Sequence, residues 1–194
     1  MTIVQAGDPV LRRVARSLDK NELGGLAALI GEMRDTMRAA PGVGLAAPQI
    51  GESLQLAVIE DRAEYHSRAS AEELAERGRR PVDFHVLINP KLTITDPTPV
   101  EFFEGCLSVE GFVALVPRAR GVRVEALDEH GHPILIDATG WYARILQHEI
   151  DHLNDTLYID RIRPRSFATQ DNYLSHWRAR STQEVLQILA TASP

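Results

Sequence analysis

Cysteine is almost missing from this chain: Cys106 is the only one in 194 residues. A single thiol excludes an internal disulfide, so burial alone must hold the fold, and nothing points to an oxidising compartment. Long apolar runs are also missing, and no stretch approaches the ~18 residues of a membrane span. The opening segment, Met1 to Pro9, lacks the basic start and apolar centre of a signal peptide. Positive charge is in deficit, with 21 Lys and Arg against 27 Asp and Glu and a formal net charge of -6. That balance argues against non-specific nucleic-acid binding, which needs a basic face, and predicts no attraction to anionic membranes. A cytoplasmic protein is the expectation. Enough remains for a proper core, since 44% of the residues are hydrophobic, and the length suits one domain over residues 1–194.

Apolar residues at Leu26, Leu29, Ile30, Met33 and Met37 fall on one face of a helix, and Pro41 and Gly42 end it. Leu54 to Ile59 reads as a buried strand. The charged stretch from Glu60 to Asp83 reads as a solvated surface excursion, with a short exposed helix over Ala71 to Arg77. Short strands follow at Val86 to Asn89, Leu92 to Thr95, Val100 to Phe103, Val113 to Val116 and Val122 to Leu127, the first three separated by Pro90 and Pro97. A turn at Asp128 to His132 leads into Ile134 to Ile136. Connections this short make the strands mostly antiparallel. A helix is expected from Gly140 to Leu153 with Thr139 as its cap. Ser181 and Glu184 form a capping-box pattern before a terminal helix. The fold class is α+β: strands in the middle of the chain, helices before and after.

His148-Glu149-Ile150-Asp151-His152 carries the strongest chemical signal. Residues four apart on a helix lie one turn above each other, so both imidazoles can face one ion, with Glu149 placed to take a proton from a water. Incidental surface histidines are the bland alternative. Trp141 and Ile145 extend the same stripe, however, which turns the histidines inward, where unpaired rings are costly. Two ligands are one short of the three that catalytic zinc-like sites use. Downstream, Asp155, Asp160 and His176 are available, none at a metzincin spacing. Upstream stands Cys106 in Glu104-Gly105-Cys106-Leu107-Ser108, although a lone cysteine is more often a small core residue. His66, His85, His130 and His132 have no partner spacing that suggests a site.

Three separated stretches together resemble the signature motifs of peptide deformylases: Gly42-Val43-Gly44-Leu45-Ala46-Ala47-Pro48-Gln49, Glu104-Gly105-Cys106-Leu107-Ser108, and Gln147-His148-Glu149-Ile150-Asp151-His152. Gly7-Asp8-Pro9, Ile88-Asn89-Pro90 and Leu157-Tyr158-Ile159-Asp160 add to the likeness. The run from Gly140-Trp141 to Gln147, with Trp177, is similar to the organellar-like branch.

The resemblance implies a metal-dependent hydrolase that removes the N-formyl group from the formylmethionine of new polypeptides and releases formate. Cys106 as thiolate, His148 and His152 would hold one divalent ion, ferrous iron in the cell, with zinc, nickel or cobalt compatible with the same ligands. Glu149 would be general base and then acid. The Leu107 amide and the Gln49 side chain would donate to the oxyanion. Main chain near Val43, Gly44 and Gly105 would pair with the peptide as an added strand, and Phe102, Trp141 and Ile145 would line the pocket for its first side chain. Core packing is the alternative role for each of those three.

Arg118 is expected to pair with Glu104 and hold the Cys106 loop, and Asp151 to steady the site beside His152; an ordinary surface salt bridge is the alternative for both. Partners would be formylmethionyl nascent chains, with transient ribosome contact and no specific nucleic acid or membrane; a monomer is expected. Asn154-Asp155 replaces a common glycine after the helix, and Glu110 a frequent proline. Asn and Asp tolerate the left-handed geometry a glycine would supply. Two rival classes stand beside this one: a peptidase cutting internal bonds, and a non-catalytic protein with a structural metal.

Overall fold

The apolar stripe after Leu26 becomes α1 (Ala27–Ala39) in a computed structural model that describes residues 1–191, and it buries Ile30, Met33 and Met37. These side chains pack on β1 (Gly44–Ala46) and β2 (Leu56–Asp61), both buried along their whole length. Such strands lack alternation because both faces are covered.

The strands expected between residues 86 and 127 are longer than their sequence breaks suggest. β3 runs as one piece over Val82–Cys106 and β4 over Val109–Leu127. Pro90, Pro97 and Pro99 do not end β3. Pro90 and Pro97 fall inside register shifts against β4, between Ile88 and Lys91 and between Asp96 and Pro99, and Pro99 resumes the pairing opposite Ala119. A bulge leaves a residue unpaired, so a proline there forfeits no ladder bond. Asn89, with φ at +51°, takes the left-handed conformation at the first of these kinks. β5 (Pro133–Thr139) continues the sheet, whose order β1-β2-β3-β4-β5 is antiparallel at every pairing. β6 (Ala168–Thr169) adds to β4.

The 60–83 excursion does contain a helix, α2 (Ala71–Arg77), opened by a Ser70–Glu73 capping box and closed by Gly78 at φ +55°. The helix buries no residue, as its charge suggested, but the segment after it is pinned to the body of the protein. Asp61 at the end of β2 accepts two bonds from Arg79 at 2.7 and 2.8 Å. That pair carries the guanidinium groups of Arg77 and Arg79 to within 5.1 and 5.5 Å of the Trp141 ring centre. Desolvated cations over an aromatic face are attracted to it, which holds the segment down.

Helix α3 (Gly140–Leu153) crosses beneath the sheet. Ala143, Leu146 and Ile150 pack against Ile59, Val122 and Val124, and Leu153 against Ala46 and Ala57. Burying a leucine-sized side chain is worth ~1.5–3 kcal/mol, so this stripe fixes the helix rotation. Thr139 occupies the cap position in extended backbone, but its hydroxyl makes no capping bond. The start of the helix abuts the end of α2 instead. At the other end Asp155 takes φ +57° in place of a glycine, and the Asn154 side chain donates to the Ile150 carbonyl at 2.8 Å. α4 (Gln170–Asn172) runs into a π turn over Tyr173–Trp177, and α5 (Thr182–Thr191) follows the Ser181–Glu184 box. Among the described residues no helix is long and apolar enough to cross a membrane.

Candidate active site

The buried stripe of α3 fixes where the histidines go. His148 and His152 stand one turn apart with ring centres 5.0 Å apart and planes at 74°. Cys106 reaches them from the last position of β3, just before the two-residue turn at Leu107 and Ser108. Its Sγ lies 3.3 Å from His152 Nε2. One ligand atom from each of Cys106, His148 and His152 falls within 4.8 Å of the others. Glu104 occupies the Nδ1 side of His148 at 3.1 Å, which leaves Nε2 for the cluster. Donors at such separations suit one ion with bonds of ~2.0–2.3 Å, and two imidazoles with a thiolate suit a transition metal. The residues therefore fit a metal. Asp155, Asp160 and His176 are not in the cluster.

Around the three donors lies a buried charge network. The Glu104 carboxylate accepts from Arg118 Nε and Nη2 at 2.9 Å each, from Arg144 Nη1 at 2.5 Å, and faces His148 Nδ1. Glu104, Arg118 and Arg144 are all 6% exposed or less. Burial works against the charge of Glu104, but Arg118 and His148 outweigh it and hold the carboxyl well below its ordinary range. Arg118 also reaches Asp151 at 2.5 Å, and Asp151 accepts from Arg161 at 2.7 Å. Asp151 thus steadies Arg118 rather than His152, whose Nδ1 is buried without a hydrogen-bond partner among the described residues. The two rings sit in different electrostatic surroundings. Burial disfavours charge on both, yet bonds to Cys106 and Glu104 raise His148 well above an ordinary histidine, while burial and the nearby His148 and Arg118 charges push His152 well below.

Glu149 is 3% exposed, and its Oε2 is buried with no hydrogen-bond partner among the described residues. Burial pushes its carboxyl up to about 7, against the pull of His148 and Arg118. A carboxyl near neutrality is suited to taking and returning a proton. Gln49, 1% exposed, sits in the tight turn Ala47–Ile50 after β1. Its Oε1 accepts from the Ala46 amide at 2.9 Å, which aims Nε2 at Ser108 Oγ (3.2 Å) and Cys106 Sγ (3.5 Å).

These groups open onto a cavity of about 1190 Å³. Val43, Gly44, Gln49, Gly105, Leu107 and Glu149 border it, as do Cys106, His148, Trp141 and Ile145. His152 lies behind, 1% exposed. Phe102 is not part of this wall. Alternation along β3 gives the cavity Phe103 and Gly105, while Phe102 packs 6.1 Å from Trp141 and under Arg144 beside a separate cavity of about 260 Å³. The glycines differ as well. A Cβ on Gly44 would meet the Glu149 carboxylate and one on Gly42 the Leu107 side chain at 2.8 Å, but on Gly105 it would meet Val113 only at an ordinary 3.4 Å.

Sequence reasoning missed the contact of Glu104 with His148 and the roles of Arg144 and Ser108. A signal for Arg144 existed: an arginine four residues before His148, on a stripe that must be buried, needs a buried carboxylate.

The family described as polypeptide deformylase matches residues 1–168 of the chain. The chloroplastic peptide deformylase 1A of Solanum lycopersicum is 51% identical over 172 residues, which cover 88% of this chain and 62% of that protein. This chain thus spans less than two thirds of the plant relative's length. Peptide deformylase 3 of Streptomyces avermitilis is 46% identical over 196 residues, covering 100% of this chain and 85% of its own. Among solved structures, a Met-Ala-Ser-bound class I type b peptide deformylase from Acinetobacter baumannii superposes with a TM-score of 0.74 at 30% identity, covering 84% of this chain and 98% of that one.

Proposed function

The chain belongs to the polypeptide deformylase family, and from that premise we propose that it hydrolyses the N-formyl group of formylmethionyl nascent chains, releasing formate and a free amine. The observation that carries this is the convergence of Cys106, His148 and His152 within 4.8 Å, beside a buried Glu149.

Cys106, His148 and His152 would hold one divalent ion, ferrous iron in the cell, though zinc, nickel or cobalt suit the same donors. Such an ion, when bound, supplies a Lewis acid that lowers the pKa of water and polarises a carbonyl. Everything else falls to the chain. Glu149 takes a proton from the attacking water as its oxygen bonds to the formyl carbon. The Gln49 side-chain amide and the Leu107 main-chain amide donate to the formyl oxygen as it gains charge. When the carbon–nitrogen bond breaks, Glu149 returns its proton to the departing nitrogen. Val43, Gly44 and Gly105 flank the peptide, which adds to the free edge of β1. Trp141 and Ile145 border the side chain of the first residue; Phe102 supports Trp141 from behind.

The 194 residues act as one catalytic domain, a cytoplasmic monomer that meets nascent chains during transient ribosome contact, without specific nucleic-acid or membrane binding. The Met-Ala-Ser ligand of the Acinetobacter baumannii relative supports a peptide with an N-terminal methionine. The test is direct. Protein freshly loaded with iron is incubated with formyl-Met and acetyl-Met peptides, and free amine and formate are measured. Rapid release from the formyl peptide alone is expected, because one extra methyl meets the close wall at Gly42 and Gly44. No formate would refute the assignment, and equal rates would refute the wall.

A further inference from the structure

Two donors to the oxyanion come from different parts of the chain, and one short segment touches both. The Val4 amide donates to the Gln49 carbonyl at 2.9 Å, and the Ala6 amide to the Ser108 carbonyl at 2.7 Å. Between them, the Gln5 side chain uses both ends of its amide on the turn that carries Leu107. Its Nε2 donates to the Leu107 carbonyl at 2.9 Å, and its Oε1 accepts from the Glu110 amide at 3.2 Å. Leu107 lies on one limb of the turn and Glu110 on the other, so a single planar amide spans it. Gln5 also borders the cavity.

We propose that Gln5 is a positioning residue for the reaction: it sets the orientation of the turn that aims the Leu107 N–H at the oxyanion. This deepens the deformylase assignment above and depends on it for the role of Leu107. The physical case is one of rigidity. A backbone donor contributes to catalysis only if it is already aimed when charge develops. A two-residue turn closed at Cys106 and Val109 can still rock about its two limbs. Ser108 Oγ receives Gln49 Nε2, and the Ser108 amide reaches Cys106 Sγ at 3.4 Å, so those bonds restrain the Ser108 side of the turn. Among the described side chains, Gln5 is the one that bridges the Leu107 carbonyl and Glu110. It is exposed, so its loss opens no cavity and should leave the fold intact.

The experiment compares Gln5→Ala and Gln5→Glu with the iron-loaded wild type. Gln5→Glu keeps an acceptor for the Glu110 amide but sets a carboxylate oxygen against the Leu107 carbonyl. Both variants should keep their metal and their melting temperature. kcat should fall roughly tenfold, part of the hundredfold or more that outright loss of an oxyanion donor costs, with KM changed less than twofold, and Gln5→Glu should be at least as slow as Gln5→Ala. Amide hydrogen exchange over 106–110 should be faster in both. A kcat within twofold of wild type, a loss seen only in KM, or unchanged exchange would each overturn the proposal. So would a fall in melting temperature that accounts for the lost turnover. If wild type releases no formate, the deformylase assignment fails separately, and exchange over the turn still decides whether Gln5 holds it.

Discussion

A methyl group on Gly44 would stand 2.1 Å from Oε1 of Glu149 and 2.4 Å from its carboxyl carbon. Real Cβ atoms essentially never come that close to a heavy atom they are not bonded to. The edge of β1 and the base of α3 are therefore fitted to each other through a missing side chain. Gly44 has no left-handed backbone to accommodate, so what it provides here is room rather than flexibility.

Gly44→Ala should consequently act as a displaced-base variant. Glu149 must rotate away, while Cys106, His148 and His152 keep their positions. Metal content should stay near one ion per chain, and turnover should drop by on the order of a hundredfold, the lower range for a lost general base. Turnover near normal would mean that Glu149 has a second productive rotamer.

Removing a ligand should look different. Cys106→Ala takes the only thiol from a three-donor cluster, leaving two imidazoles. Elemental analysis should find about one ion in wild type and little in the variant, with activity lost in proportion. Full occupancy in Cys106→Ala would remove cysteine from the ligand set.

Glu104 joins the Cys106, His148 and His152 cluster to the charge network, because one carboxylate serves His148, Arg118 and Arg144. Glu104→Gln keeps the shape but leaves two buried guanidiniums facing a neutral amide. A broken buried pair costs about 3–5 kcal/mol; Asp151 still compensates Arg118, so a loss near the lower figure is expected in denaturant unfolding. Metal affinity should weaken by about 10–100-fold, as for other lost partners of a ligating histidine. Normal stability and normal affinity together would mean that the network is incidental.

Much of this architecture is legible in the sequence where local periodicity and motif spacing speak. α1, α3 and the inward turn of His148 follow from stripes that must be buried, and Asp155 accepts the backbone that its position implied. The long β3 and β4 were not legible, since a proline in a bulge and a proline ending a strand look alike until the partner strand is known. Phe102 was misplaced because Phe102 and Phe103 are adjacent, and only the register of β3 decides which one faces the cavity. The packing of the 60–83 excursion escaped notice for a related reason. Arg77 and Arg79 read as solvated charge, and their contact with Trp141 depends on the pairing of Arg79 with Asp61, 18 residues away in the chain. The roles of Gln5 and Ser108 rest on main-chain bonds that no side-chain pattern announces.

The sharpest test separates the base from the ligands. Glu149 adjoins His148 in sequence, yet its carboxylate is outside the donor cluster and faces Gly44. Glu149→Gln preserves size and much of the hydrogen bonding but cannot accept a proton. It should keep its metal, its fold and its affinity for substrate, and lose on the order of a hundredfold or more in turnover, as expected for general acid–base catalysis. His152→Ala should lose metal and activity together. Both variants are best measured side by side, for metal content and for kcat. A Glu149→Gln protein with near-normal turnover would show that water is activated without a carboxylate. One stripped of metal would show that Glu149 is a ligand, and the three-donor cluster would then have to be redrawn to include it.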